Sequence, residues 1–187
     1  MILSLRWEEK KMNNKFVIAV YVDNKFGVLT RVTSMFTRRG FNIDALTVGE
    51  TESPEYSRIT ICLSGDGYAK EQLINQLRKL INVKKVEVID DSMSVKRELA
   101  LIKVKNNSQT RADVLSAVEV YRAKVIDFTA SEMCIEITGE PSKINAFIEY
   151  MKPYEIIEMC RTGIVALERG SGTLLSKNTK TGVHKSR

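Results

Sequence analysis

One order of residue signals occurs twice along this chain, and that repetition limits its folding more than any other feature. Phe16–Val22 is a nearly continuous apolar run, the pattern of a strand buried on both faces. The polar turn Asp23-Asn24-Lys25-Phe26-Gly27 follows. Val28, Leu29, Val32, Met35 and Phe36 then recur on one helical face, and Gly40 suits the left-handed residue that stops such a helix. Asn42–Val48 and Ser57–Leu63 read as two strands, the second with Ile59, Ile61 and Leu63 on its more buried face. Asp66-Gly67 opens a helix striped by Leu73, Leu77 and Leu80, and Val83–Ile89 is a strand.

The same order returns downstream. Glu98–Lys105 reads as a strand. Thr110–Tyr121 reads as a helix carrying Val114, Leu115, Val118 and Tyr121. Lys124–Thr129 and Met133–Thr138 read as strands. Pro141 suits the first turn of a helix over Ser142–Met151, and Glu155–Leu167 contains the last strand. The reading is an α+β chain of two tandem ferredoxin-like β-α-β-β-α-β domains. Its boundaries are an N-terminal extension at 1–14, a first domain at 15–92, a second at 93–170 and a basic flexible tail at 171–187. Units this small bury only about 60% of their unfolded surface, so pairing with each other, with a second copy or with a partner protein is expected.

Charge and composition exclude several functions. The net charge of +6 comes from residues 1–15, at +2, and residues 171–187, at +4; the body between them is neutral. A phosphate-tracking groove needs its positive charge on the folded surface, so nucleic acid is disfavoured as a partner. The strand Arg58–Leu63 also lacks the aromatic residues that would stack bases. Cys62, Cys134 and Cys160 have no metal-ligand spacing, and the single histidine, His184, lies in the tail, leaving acid–base catalysis without a histidine in the body. No apolar run is long enough to span a bilayer, which makes a cytoplasmic protein without membrane contact the expectation.

What remains is the turn ending in Gly27 at a helix N-terminus, where free N–H groups and the helix dipole suit a carboxylate. Asn24 offers an amide that can donate to a carboxylate or accept from an ammonium. Val28, Leu29 and Ile43 could form an apolar wall, and Asn42 brings a second amide. Together these suit a free aliphatic amino acid. The competing roles are structural, with Asn24 as a turn or capping residue and Asn42 tolerating the bend after Gly40.

The stretches Asp23–Val32, Arg39–Val48, Ser57–Ile61, Val95–Val104 and Arg161-Thr162-Gly163 closely resemble the small, regulatory subunit family of acetolactate synthase (acetohydroxyacid synthase), over about 16–170. That resemblance implies an ACT domain first and the family's C-terminal ferredoxin-like domain second. It further implies a non-catalytic homodimer, paired through its ACT domains, that activates a large catalytic subunit and confers feedback inhibition by a branched-chain amino acid, usually valine. Thiamine diphosphate, Mg and FAD would belong to that partner, with no cofactor on this chain. Carried over, Asn24 and the amides around Gly27 would hold the effector's charged groups. Val28 and Leu29 would line the pocket, and Asn42 with Ile43 would close it from the other protomer. The alternative is a free-standing ACT-domain sensor acting on some other protein.

Overall fold

A computed structural model describes residues 15–170; the N-terminal extension, the basic tail and His184 lie outside them. The described chain forms two compact units, one of 15–44, 48–95 and 167–170, the other of 45–47 and 96–166.

The first unit runs β1 (Lys15–Asp23), α1 (Val28–Arg38), β2 (Ile43–Glu50), β3 (Tyr56–Ser64), α2 (Gly67–Leu77) and β4 (Val83–Ile89). Its sheet has the order β2-β3-β1-β4, so β1 is central and β2 is an edge. β1 lies antiparallel to β3, from Lys15 opposite Ser64 to Asp23 opposite Tyr56, and antiparallel to β4 on its other side. Every residue from Val17 to Asp23 is buried, as the unbroken apolar run requires. On β3 the face of Ile59, Ile61 and Leu63 is the more buried one, as the alternation implies, and Thr60 and Cys62 on the opposite face are buried as well, at 5% and 8% exposed.

α1 buries Val28, Val32 and Phe36, a stripe at four-residue spacing, and full burial of Phe36 contributes about 1.5–3 kcal/mol. Its end is a Schellman turn at Gly40 (φ 70°), with Phe41 N–H donating to the Phe36 carbonyl and Gly40 N–H to that of Thr37. α2 starts at Asp66, whose Oδ1 accepts from Ala69 N–H at 2.7 Å. It ends at Leu77, leaving Leu80 in the turn beyond.

The second unit repeats the plan with β5 (Ser94–Lys105), α3 (Arg111–Val120), β6 (Lys124–Phe128), β7 (Glu132–Gly139), α4 (Pro141–Met151), a 3₁₀ turn (Lys152–Tyr154) and β8 (Ile156–Arg161). The sheet order is β6-β7-β5-β8, and a short β9 (Val165–Glu168) also pairs with β5. The region expected to hold one last strand therefore holds two, because Gly163 (φ 79°) breaks the run between them. Ile102, Ile135 and Ile137 from the sheet pack with Val114, Ile144, Phe147 and Met151 from the helices. On α3 the inward position is Ala117, while Leu115 turns outward. Among the described residues no helix is long and apolar enough to cross a membrane.

Candidate functional site

The β1–α1 turn is held at its strand end by a buried carboxylate. Asp23 Oδ1 meets Lys84 Nζ at 2.9 Å, and its Oδ2 accepts from Asn82 Nδ2 at 3.1 Å. Asn82 Oδ1 in turn accepts from Arg31 on α1 at 3.1 Å. The hydrogen bond from Lys84, then that from Asn82, hold the Asp23 carboxyl below its ordinary pKa, outweighing the opposite push of burial. Asp23, Asn82 and Lys84 were not among the residues singled out from the sequence, since no local pattern links positions so far apart.

At the helix end of the turn Gly27 is left-handed (φ 79°), and no side chain caps α1. Val28 N–H donates to the Lys25 carbonyl, and the Gly27 carbonyl accepts from Arg31 N–H. Among the described residues, the N–H groups of Phe26, Gly27, Leu29 and Thr30 have no acceptor. This helix start carries open donors and the positive end of the dipole, with no acid in its first turn.

The equivalent turn of the second unit is closed at the two residues before the helix, although no side chain caps α3 either. Asn107 Oδ1 accepts from the N–H groups of Gln109 and Thr110 and from the Thr110 hydroxyl, and the Asn107 carbonyl accepts from Arg111 N–H. Asn106 is buried, its amide donating to the Thr129 carbonyl and accepting from Arg111 Nε. Asp113 adds a carboxylate in the first turn of α3. Among the described residues, the N–H groups of Ala112 and Asp113 stay open as those of Leu29 and Thr30 do, so the two turns differ in the residues before the helix: Phe26 and Gly27 keep open donors, while Gln109 and Thr110 donate to Asn107.

The sequence-selected residues fall into two groups. Asn24, Gly27, Val28 and Leu29 gather at the β1–α1 turn. Val28 is only 4% exposed and belongs to the core, because it shares the stripe of Val32 and Phe36; Leu29, about 100° further round the helix, is 39% exposed. Of the two expected pocket-lining residues, Leu29 alone offers apolar surface there, beside the fully exposed Phe26.

Asn42 and Ile43 lie at the other end of β2. Asp44, their neighbour, accepts from Ser64 Oγ and faces Lys15, at the start of β1, whereas Glu50 at the far end of β2 meets Asn24. At about 3.3 Å per residue, β2 separates the two groups by roughly 23 Å within one chain. Among the described residues the Asn42 side chain reaches Asp44 alone, and Ile43 is half-buried.

Asn24 is a clasp between loops. Its Nδ2 donates to Glu50 Oε1 at 3.2 Å and to the Pro54 carbonyl at 3.0 Å, and its N–H donates to the Glu55 carbonyl at 2.7 Å. The contact of Glu50 with Asn24 is one that the sequence did not reveal.

Fold and turn together define the class: a tandem ferredoxin-like chain whose first unit is of the ACT type. Comparison with known proteins agrees. A family model for the AHAS small subunit-like ACT domain matches residues 18–85, and one for the small subunit of acetolactate synthase matches 97–170. The acetolactate synthase small subunit of Mycolicibacterium smegmatis is 46% identical over 153 residues, covering 82% of this chain and 90% of that protein. That of Aquifex aeolicus is 46% identical over 156 residues, covering 83% and 81%. The crystal structure of the acetolactate synthase small subunit from Thermotoga maritima superposes with a TM-score of 0.78 at 41% identity, covering 84% of this chain and 99% of that one. This chain belongs to the acetolactate synthase small-subunit family.

Proposed function

We propose that this chain is a cytoplasmic, non-catalytic regulatory subunit that activates a thiamine-diphosphate-dependent acetolactate synthase large subunit and makes it sensitive to feedback inhibition by valine. The effector binds at the β1–α1 turn of the ACT unit, its carboxylate on the open amides around Gly27 and its side chain against Leu29. Asn42 and Ile43 complete the site from a second copy of the chain.

The observation that carries this reading is the separation of the site residues along β2. A single protomer keeps Asn42 roughly 26 Å from the Asn24 end of the strand. β2 is an edge strand, so two copies related by a twofold axis can pair their β2 strands antiparallel. That pairing lays the Asn42 end of one strand beside the Glu50 end of the other, and two sites form per dimer. Effector binding then favours one dimer arrangement, to which the large subunit responds. A coupling of about 1–3 kcal/mol is enough to change activity usefully.

The test is reconstitution of the full chain with an acetolactate-forming large subunit, assayed with and without valine, alongside its mass in solution. Activation, inhibition by valine and a dimer are expected. A monomer that leaves the large subunit indifferent would overturn the reading.

A further inference from the structure

We infer that Glu50 is the ammonium-recognising residue of the effector site, restricting it to ligands with a free α-amino group; this rests on the effector reading above. The inference comes from counting donors and acceptors on Asn24. Its amide has two N–H groups, and both are occupied by protein acceptors, Glu50 Oε1 and the Pro54 carbonyl. The reverse amide orientation would set Oδ1 against a carboxylate and a carbonyl, two acceptors facing an acceptor, so the two partners fix the assignment. Asn24 therefore has no donor left for an effector carboxylate. It presents Oδ1 as an acceptor, joined to the exposed carboxylate of Glu50.

The pair is a negative pole. Three residues further along the same turn, the open amides beside Gly27 form a positive one. A zwitterion matches both poles, with its ammonium on Glu50 and the Asn24 oxygen and its carboxylate on the helix start. An acid of the same carbon skeleton without nitrogen matches only one pole and leaves the Glu50 charge facing an anion. Sequence spacing cannot reveal this role, because Glu50 and Asn24 are 26 residues apart.

The experiment titrates the full chain calorimetrically with L-valine and with 3-methylbutanoate, which is valine lacking the amino group. Wild type, Glu50→Gln and Glu50→Asp are compared. Glu50→Gln keeps the size and an acceptor for Asn24 while removing the charge. Wild type should prefer valine by roughly tenfold or more, the scale of one charge-assisted hydrogen bond. Glu50→Gln should lose most of that preference through weaker valine binding alone, and Glu50→Asp should restore part of it.

An unchanged preference in Glu50→Gln overturns the inference and leaves the effector site standing. Equal loss of both ligands makes Glu50 a strut of the loop and also overturns it. Wild type binding both ligands equally well does the same. Wild type binding neither ligand at millimolar concentration removes the effector reading, and this inference with it.

Discussion

Glu98 on β5 and Arg161 on β8 form a two-point clamp. Arg161 Nε donates to Glu98 Oε1 and Nη2 to Oε2, both at 2.7 Å, with the Glu98 side chain only 4% exposed. The hydrogen bond to Glu98 also raises the Arg161 pKa, so the guanidinium stays charged throughout. Removing the arginine leaves a carboxylate out of water with no counter-charge. Arg161→Ala should destabilise the chain by about 2–3 kcal/mol, less than for a fully buried pair because Arg161 is partly in water. Arg161→Lys, which cannot fork, should recover only part of this. Urea unfolding followed by circular dichroism measures both; a loss below 0.5 kcal/mol, the scale of a surface pair, would contradict the clamp.

Acid should loosen the strand end of the β1–α1 turn. The Asp23 pKa is depressed in the folded chain by its bonds from Lys84 and Asn82. A depressed carboxylate stabilises the fold above its unfolded value, about 3.9, and that contribution is lost as pH falls through the lower native value. Wild type should therefore exceed Asp23→Asn in urea midpoint at pH 7, with the gap shrinking below about pH 4. A gap constant from pH 7 to pH 2.5 would show that the charge of Asp23 does not stabilise the turn.

The contrast between the two β–α turns predicts opposite consequences for two asparagines. Asn24→Ala should weaken valine inhibition of the reconstituted enzyme by roughly tenfold or more while costing about 1 kcal/mol, since its hydrogen bonds are exposed. Asn107→Ala removes the oxygen that accepts from the Gln109 and Thr110 amides just before α3 and should cost about 1 kcal/mol with valine inhibition unchanged. Inhibition curves and thermal melts on the same preparations separate the two effects. Loss of valine sensitivity in Asn107→Ala would place an effector in the second unit.

Two left-handed positions give a stability test of opposite sign. Gly27 (φ 79°) has open space where a Cβ would stand, so Gly27→Ala should cost about 1–2 kcal/mol from backbone strain alone. Arg122 (φ 50°) holds, in the Schellman turn ending α3, the position that Gly40 holds at the end of α1, with Ala123 N–H donating to the Val118 carbonyl. Arg122→Gly should raise stability by about 0.5–1 kcal/mol. Chemical denaturation reads both, and equal signs would contradict the argument from φ.

Much of this was legible in the residues. The run Phe16–Val22, the stripe Val28-Val32-Phe36 and the cap at Asp66 each express a periodicity or turn chemistry acting over a few positions, so strands and helices could be placed without long-range information. The turn at Asn24 and Gly27 could be singled out for the same reason. The outward turn of Leu115, the burial of Thr60 and Cys62, and the split of the final strand could not, because packing across the sheets decides them.

The sequence alone determined the repeated order of elements, the neutral body between basic ends, and the place of a glycine turn ahead of the first helix. Tertiary structure decided which polar atoms there remain available. Sheet register brings Glu50 and Pro54 onto Asn24 and takes its donors, carries Asn42 to the far end of β2, and joins Asp23 to Lys84. Those outcomes depend on partners some 26 to 60 positions away, and only the folded sheet fixes which of them meet.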